Sequence, residues 1–333
     1  MSLPSFLYAA VARERRRWYA RRPVWRRTLG RPVISIGNVA VGGSGKTPAV
    51  AHVARILIEA GERPAILTRG YARARSSDGV TVVSDGHRIL ADLDRAGDEP
   101  LMLARQLPSV PVLVSSDRYL AGVLAERHFG CTVHLLDDGF QHFQLERDVD
   151  LVLLSPDEIE RPVTLPSGRL REPLDAVRRA SAVIVSDADH AQAAAAGAAV
   201  GVETVFRLRR HPDRPRLIEP AGRVVSPAAG TRVLAVAGLA RPERFFSSLA
   251  DEGWTVAGEL AFADHHRYTR ADVDRVVAEM RAARAVMVLT TEKDLMRLLP
   301  LRPLPVPVAW VPLQVSIQPA EEFVAWLTSR LRA

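Results

Sequence analysis

The chain contains very little lysine. Lys46 and Lys293 are its two lysines among 45 basic residues, so the other 43 are arginine. Where almost every cation is arginine, a retained lysine indicates a position that needs a compact ammonium and would not fit a planar guanidinium. Both lysines lie in motif-like sequence, so both are candidate functional residues. Chance retention is the competing interpretation.

Cysteine and long apolar runs are also scarce. Cys131 is the single cysteine, which excludes a disulfide framework and a cysteine-rich zinc site and is typical of a reducing compartment. No run of about 18 uncharged apolar residues occurs, so the sequence predicts no membrane-spanning helix. The 333 residues are 47% hydrophobic, as in a globular protein, and the length favours two domains.

Positive charge is concentrated at the amino terminus. Residues 1–30 contain eight arginines and one glutamate, and their net charge of +7 equals that of the whole chain. The charges of residues 31–333 therefore sum to zero. This distribution argues against a basic surface for nucleic acid.

The same segment predicts a basic amphipathic helix, because apolar residues recur among the arginines at helical spacing: Leu3, Phe6, Leu7, Ala10, Val11 and Trp18. Such a helix suits the surface of an anionic membrane. The alternatives are a helix packed on the protein, a nucleic-acid-binding arm and an organelle transit peptide. A secretory signal is disfavoured because the arginines follow the apolar residues.

The rest of the chain shows two α/β rhythms. Residues 31–206 alternate short apolar strands with helices, which predicts a doubly wound sheet. Residues 207–230 are charged and broken by proline, and we predict a linker there. Residues 231–315 predict a smaller α/β domain. A final amphipathic helix is predicted within 316–333, and we expect it to pack back on the first domain.

A glycine-rich loop joins the first predicted strand to a helix, which is the context of a phosphate-binding loop. The residues predicted to bind the nucleotide are Gly42, Gly43, Ser44, Gly45, Lys46 and Thr47. Lys46 would neutralise β- and γ-phosphate oxygens, and the Thr47 hydroxyl would ligate Mg²⁺. Ala40 replaces the usual first glycine. The alternative is a glycine-rich turn that only opens a helix.

Two adjacent carboxylates follow another apolar strand. Asp137 and Asp138 suit a position from which an aspartate reaches Mg²⁺ in phosphate-loop proteins. Neighbouring carboxylates repel each other unless a cation lies near them. These residues are therefore candidate metal ligands together with Thr47. A polar exit from the strand is the alternative.

Two further polar motifs are ambiguous by themselves. Asp98 precedes a proline-initiated helix, where a carboxylate is often only a helix cap. Asp264, His265 and His266 could bind a metal, act as a base relay or remain solvated. No third ligand at metal spacing accompanies the two histidines.

Several motifs, in one order along the chain, resemble those of the tetraacyldisaccharide 4′-kinase family, the lipid A 4′-kinases of Gram-negative bacteria. They lie at 34–48, 68–71, 97–100, 136–142, 165–173, 242–246, 264–266 and 290–294. The extended phosphate-binding loop and the Asp-Asp-Gly-Phe-Gln-His block are specific in combination. The resemblance covers nearly the whole chain.

The resemblance implies a fold of class α/β: a P-loop NTPase-like doubly wound sheet plus a smaller α/β/α domain, joined by a β linker, with the active site between the domains. It implies transfer of the ATP γ-phosphoryl group, with Mg²⁺, to the 4′-hydroxyl of a lipid-bearing glucosamine disaccharide. Asp98 is then the candidate base and His265 orients it, while Lys46 completes the catalytic set. Candidate substrate-binding residues are Arg69, Tyr71, Arg118, His142, Arg171 and Glu172.

The implied partners are an anionic glycolipid and the inner membrane surface, with no nucleic acid and no obligate protein partner. We expect a peripheral enzyme on the cytoplasmic face of the bacterial inner membrane. The arginines within 13–27 would meet lipid phosphates, and Phe6, Leu7, Val11 and Trp18 would meet acyl chains.

Two other functional classes remain open at this point. A regulatory or targeting P-loop NTPase at the membrane would hydrolyse nucleotide to drive a partner, but such proteins often carry a second lysine early in the loop, where this chain has Asn38 and Val41. A non-catalytic nucleotide-binding scaffold leaves Asp98 and His265 unexplained. A GTPase is disfavoured because Lys293 and Asp294 are adjacent, without the intervening residue of the guanine-specificity motif.

Overall fold

The computed structural model describes residues 2–42, 45–70, 73–75, 79–226 and 230–332. The chain forms two compact units. The first comprises Met1–Arg210 and Val315–Ala333, and the second comprises His211–Gln314.

The first unit is built on a sheet whose strands are β1 (Val33–Asn38), β2 (Pro64–Thr68), β3 (Thr81–Asp85), β4 (Pro111–Val114), β5 (Val133–Asp137), β6 (Val149–Leu154), β7 (Ala182–Ser186), β8 (Val205–Pro212) and β14 (Leu313–Gln318). Its helices are α1 (Leu3–Ala20), α2 (Lys46–Glu59), α3 (Leu93–Ala96), α4 (Asp98–Gln106), α5 (Arg118–Phe129), α6 (Pro156–Glu160), α7 (His190–Val200) and α11 (Ala320–Arg332).

The strand order is β14-β8-β7-β6-β1-β5-β2-β4-β3. Strand β1 lies between β5 and β6 and is parallel to both, whereas the edge strand β3 is antiparallel to its neighbour β4. The strand order changes direction beside β1. Doubly wound sheets bind their ligands at such a point. The predicted α/β class is confirmed.

The central strands are apolar on both faces because helices cover the sheet. Every residue of β1 and of β5 is buried. Helix α2 places Val50, Val53 and Leu57 in the core and ends before Gly61, which has a left-handed backbone angle. This packing holds the carboxyl ends of β1 and β5 side by side, with Ile36 opposite Asp137.

The two terminal helices both belong to the first unit and bury different faces. Helix α11 buries the apolar side chains Phe323 and Leu327 completely, and Phe323 packs edge-on against Phe206 of β8. Helix α1 buries the small residues Ser5 and Ala9 instead. Its large apolar side chains are exposed, by 72% for Leu3, 55% for Phe6, 56% for Leu7 and 69% for Val11.

The second unit has a sheet of order β11-β10-β12-β13-β9. Its strands are β9 (Arg216–Leu217), β10 (Arg232–Ala237), β11 (Thr255–Ala261), β12 (Met287–Thr291) and β13 (Val308–Val311), and its helices are α8 (Pro242–Asp251), α9 (Arg270–Ala282) and α10 (Glu292–Leu298). Strands β10 to β13 are parallel, and β9 is antiparallel to β13.

The segment 207–230 contains more regular structure than its composition indicates. Residues 207–212 continue β8 in the first sheet, and β9 pairs in the second. Strand β14 was not predicted from the sequence; it follows β13 after one residue and alternates apolar and polar residues. The structure of segment 207–230 and of β14 depends on pairing with other strands of the sheets. The local sequence pattern does not contain this information.

Candidate active site

The phosphate-binding loop lies between β1 and α2. Gly45 caps α2 with a φ of 86°, a left-handed conformation that glycine adopts without strain. The Lys46 Nζ atom is 3.1 Å from Asn38 Oδ1 and 3.6 Å from Asp138 Oδ1. Thr47 is buried in the first helical turn. Gly43 and Ser44, both predicted to bind nucleotide, lie outside the described residues.

Asp137 and Asp138 end the neighbouring strand β5 and have opposite electrostatic environments. Burial of Asp137, together with the nearby charges of Glu99 and Asp138, raises its pKa to about 7. Burial opposes ionisation of Asp138 as well, but Arg171 and Lys46 outweigh it and lower its pKa to about 2. The structure therefore separates two adjacent carboxyls into one that resists ionisation and one that is firmly anionic.

Arg171 causes much of this difference. Its two terminal nitrogens each lie 2.8 Å from one oxygen of Asp138, in the bidentate geometry that is strongest for a guanidinium and a carboxylate. The same side chain also donates to the Asn38 side-chain oxygen. The cluster of Asn38, Lys46, Asp138 and Arg171 thus joins the end of β1, the start of α2 and the turn after β5.

The donor set suits a hard divalent cation. Thr47, Asp137 and Asp138 offer a hydroxyl and carboxylates, the oxygen ligands that Mg²⁺ prefers. The fit rests on Asp137, a buried carboxyl whose charged neighbours include two other acids. Within the part of the chain that the structure describes, no group of three or more His, Cys, Asp or Glu side chains could hold a metal alone.

Asp98 is the first residue of α4 and is buried. Gly97 occupies the cap position with φ 86° and ψ 163°, a conformation that is open to glycine. The Asp98 Oδ1 atom accepts a 3.0 Å hydrogen bond from the Glu99 backbone. Gly97 is thus the cap residue, and Asp98 lies in the first turn, where its carboxylate accepts from a backbone N–H; its catalytic role stays a prediction.

Three of the predicted substrate-binding residues form a basic group. Arg118 begins α5 and is buried, and its burial and the nearby Arg69 lower its pKa to about 10. Burial of His142, with Arg118 close to it, lowers the pKa of the imidazole to about 3. Among the described residues, neither Arg118 Nε nor His142 Nε2 has a hydrogen-bond partner. The two guanidinium groups of Arg69 and Arg118 lie close together, which suits an anionic ligand.

Glu172 and Tyr71 complete the predicted substrate-binding set. Glu172 is buried and ion-paired with Arg16 of α1, and burial raises its pKa. Its contact with α1 was not predicted, because 156 residues separate the two side chains. Tyr71 lies outside the described residues.

Asp264, His265 and His266 lie in the second unit. His265 has a φ of 60°, and its backbone N–H donates to Asp264 Oδ1 at 3.0 Å. The His266 Nε2 atom is 3.1 Å from Asp272 Oδ2, so this histidine interacts with the start of α9. Since Asp98 belongs to the first unit, its predicted pairing with His265 stays a prediction.

The residues that sequence reasoning missed include Asn38, Asp294 and Arg297. Asn38 contacts both Lys46 and Arg171 at the loop. Asp294 and Arg297 form a buried ion pair 3.1 Å long in the second unit. The position of Asn38 within the motif at 34–48 was the one sequence feature that could have identified it. No sequence feature distinguished Arg297, because arginine is common throughout the chain.

The fold and the site define a P-loop nucleotide-binding protein: a mainly parallel sheet, a glycine-rich loop, Lys46 and Thr47 at the start of α2, and paired aspartates at the end of the neighbouring strand β5. The family model described as tetraacyldisaccharide-1-P 4′-kinase matches residues 1–332. The chain belongs to this family, and it is an enzyme that transfers a phosphoryl group to an alcohol.

Individual relatives agree. The tetraacyldisaccharide 4′-kinase of Syntrophus aciditrophicus strain SB is 39% identical over 309 residues, which cover 87% of this chain and 82% of that protein. The one of Anaeromyxobacter sp. strain Fw109-5 is 45% identical over 283 residues, covering 82% and 75%. The crystal structure of LpxK from Aquifex aeolicus in complex with ATP matches with a TM-score of 0.78 at 30% identity, over 98% of this chain and 97% of that one.

Proposed function

We propose that the chain transfers the γ-phosphoryl group of ATP to the 4′-hydroxyl of a tetraacyl glucosamine disaccharide 1-phosphate, giving the bisphosphorylated lipid A precursor. The observation that carries this proposal is the joining of Lys46, Asp138 and Arg171 at the loop of a chain that belongs to the 4′-kinase family. The family membership disfavours the alternative, a regulatory or targeting NTPase.

Charge neutralisation is the main task of the first unit in this reaction. Mg²⁺, which Thr47, Asp137 and Asp138 would hold, supplies positive charge at the phosphate oxygens when it is bound. Lys46 is the first residue of α2, and its Nζ atom lies 3.6 Å from Asp138 Oδ1. Its ammonium is therefore close to a helix N-terminus, which itself favours the binding of anions. Positioning and charge neutralisation supply most of the catalysis in phosphoryl transfer.

Asp98 is the proposed general base. It would accept the proton of the acceptor hydroxyl as the hydroxyl oxygen forms its bond to phosphorus and the bond to the leaving ADP oxygen breaks. His265 is proposed to orient Asp98. Burial of Asp98 at the start of α4 supports the role, because a shielded carboxylate is held in one orientation.

The basic group of Arg69, Arg118 and His142 is proposed to bind the anionic part of the glycolipid, together with Tyr71, Arg171 and Glu172. The supporting observation is that one nitrogen of each buried group, Arg118 Nε and His142 Nε2, has no hydrogen-bond partner among the described residues. A disaccharide phosphate would supply the missing acceptors.

Helix α1 is proposed to hold the enzyme on the cytoplasmic face of the inner membrane as a peripheral protein, and no protein or nucleic-acid partner is required. Its exposed residues Leu3, Phe6, Leu7 and Val11 form an apolar surface suited to acyl chains. No helix within the described part of the chain is long and apolar enough to cross a membrane.

The arginines of the amino-terminal segment divide into two groups. Four pair with acids of the first unit outside residues 1–30: Arg13 with Asp175, Arg16 with Glu172, Arg26 with Glu146 and Arg27 with Asp117. These hold α1 and the segment after it on the unit. The lipid-phosphate role proposed for this segment therefore rests mainly on Arg15, Arg17, Arg21 and Arg22. Trp18 packs against Tyr19 and Trp25, which gives it a structural contact besides the proposed one with acyl chains.

The test is an acceptor-dependence assay. Purified full-length protein with ATP, Mg²⁺ and the disaccharide 1-phosphate in detergent is expected to form the bisphosphorylated lipid, and Asp98→Ala is expected to lose most of the rate. ATP hydrolysis at a comparable rate without the acceptor would overturn the proposal and favour the NTPase.

A further inference from the structure

The second lysine of the chain contacts the proposed catalytic histidine. Lys293 is the second residue of α10, and its Nζ atom lies 3.2 Å from His265 Nε2 and 3.2 Å from Asp264 Oδ1. Its side chain is 16% exposed, so most of it is shielded from solvent. The ammonium therefore bridges a carboxylate and the imidazole ring.

A buried ion pair lies behind the other edge of the ring. The Arg297 Nη2 atom is 3.5 Å from His265 Nδ1, and Arg297 Nη1 donates to Asp294 Oδ1 at 3.1 Å and to the Gly238 carbonyl at 3.0 Å. A Cβ atom at Gly238 would lie 2.8 Å from Asp294 Oδ1 and 3.2 Å from Arg297 Nη1. The backbone approaches this pair too closely for any other residue at that position.

Asp294 anchors the arrangement. It is fully buried and accepts hydrogen bonds from the Gly238 backbone at 3.0 Å, from Tyr268 at 3.1 Å and from Thr291 at 2.7 Å, besides the contact with Arg297. A buried carboxylate with this many donors is held in one orientation, and the guanidinium is held with it.

His265 itself has a strained backbone. Its φ of 60° is uncommon for a residue with a Cβ atom, and such conformations persist where surrounding contacts require them. The contacts here are the Asp264 cap on the His265 backbone and the two cations at the ring. Together they determine both the backbone and the imidazole orientation.

We infer that Lys293 is a positioning residue that orients the His265 imidazole, with Arg297 and Asp294 supporting the ring from behind. This inference rests on the proposed role of His265. An ammonium only donates, and a neutral imidazole has one acceptor nitrogen. Since Lys293 is the nearer donor, Nε2 is that acceptor and the ring proton resides on Nδ1. In this tautomer Arg297 Nη2 packs against the Nδ1 edge and makes no hydrogen bond to it. A planar guanidinium in place of Lys293 would not fit between ring and carboxylate in the same way.

A double-mutant cycle tests the inference in the full-length enzyme with ATP and the acceptor lipid. We expect Lys293→Met to lower kcat roughly 10- to 100-fold, because a displaced catalytic group costs about that much. In the His265→Ala background the same change is expected to cost less than about twofold, since Lys293 acts through the ring. KM for ATP is expected to stay within about twofold in both backgrounds.

Arg281→Met is the matched control, because Arg281 is an exposed cation in the last turn of α9 in the same unit. We expect its kcat to equal that of the unmodified enzyme. Equal fractional losses from Lys293→Met in both backgrounds would overturn the inference, because Lys293 would then act independently of His265.

The ring tautomer gives a readout that needs no activity. In protein labelled with ¹⁵N at histidine, the His265 signals can be assigned by their absence in His265→Ala. We expect Nδ1 to carry the proton in the unmodified chain and the population to move toward Nε2–H in Lys293→Met. An unchanged tautomer overturns the inference, whereas an inactive unmodified enzyme with the expected tautomer shift would contradict the proposed function alone.

Discussion

Asp137 in the first unit and Asp294 in the second are both buried carboxylates beside a parallel sheet, and they are satisfied very differently. Asp294 accepts hydrogen bonds from four partners, one of them the guanidinium of Arg297. Among the described residues, Asp137 accepts one long contact, 3.4 Å, from the hydroxyl of Thr68. Burial and the charges of Glu99 and Asp138 outweigh the nearby Lys46 and Arg118 at this carboxyl.

The difference separates a carboxylate that is satisfied within the fold, Asp294, from one that is proposed to bind the metal, Asp137. Asp294 has its counterion built into the fold, so the pair is complete without a ligand. Asp137 gains a favourable environment when positive charge arrives, because burial and the neighbouring acids raise its pKa to about 7. Such an arrangement sacrifices some stability of the free enzyme and suits a site that binds metal and nucleotide together.

The largest expected effect comes from exchanging these two carboxylates for amides. We expect Asp294→Asn to lower the free energy of unfolding by about 3–5 kcal/mol, because it leaves the buried Arg297 uncompensated. Asp137→Asn is expected to leave the stability unchanged or raise it, since it removes a buried charge that is repelled by acids. The free energies of unfolding of both variants can be compared by denaturant titration. Equal losses of stability would show that the two carboxylates do not differ in this way.

The next largest effect is expected at Lys46, the cation beside Asp138 in the first unit. Lys46→Met is expected to lower kcat roughly 10²- to 10³-fold, the usual cost of removing one group that stabilises transition-state charge. Its melting temperature is expected to stay close to that of the unmodified enzyme.

Lys46→Arg is the matched variant, because it keeps the charge. We expect it to lose much of the activity as well, since the larger guanidinium would not occupy the place of the ammonium beside Asn38. Full activity of Lys46→Arg would show that lysine scarcity did not mark a requirement for lysine at this position.

A smaller effect is expected from pH, through His142 of the first unit. Burial and the nearby Arg118 lower the pKa of His142 from 6.5 to about 3, so the folded state favours the neutral ring. The stability from this group is present in full above pH 6.5 and is lost as the pH falls toward 3. Allowing for partial exposure, we expect about 2 kcal/mol of this loss between pH 6.5 and pH 4.5.

His142→Gln is expected to lack this part of the acid destabilisation in urea titrations at the two pH values. His128→Gln, which changes an exposed histidine on α5, is the control and is expected to follow the unmodified enzyme. Identical pH dependence of His142→Gln and the unmodified enzyme would contradict the prediction.

The smallest effect on stability is expected on the exposed face of α1. Phe6→Ser combined with Leu7→Ser is expected to change the free energy of unfolding by less than about 0.5 kcal/mol, because both side chains are exposed. Binding to vesicles of anionic lipid, measured by sedimentation, is expected to fall strongly. Unchanged sedimentation would leave α1 with only its packing role.

The terminal helices show where sequence reasoning succeeds and where it ends. Both segments have amphipathic spacing, and both are helices. The spacing does not tell which face is buried. Phe323 and Leu327 of α11 enter the core, whereas α1 attaches through Ser5, Arg13 and Arg16 and leaves its apolar residues outside. Of the four interpretations of this segment, the structure shows the helix packed on the first unit, and membrane contact stays a prediction.

The sequence by itself determined the strand, loop and helix around Lys46, the paired aspartates on the next strand and the family, because periodicity, turn residues and motif order are local properties. The tertiary structure alone decided that Asp138 is ion-paired with Arg171, that Glu172 is bound to α1 and that Lys293 contacts His265. Charge interactions and burial act through space, and these partners are 33, 156 and 28 residues apart along the chain.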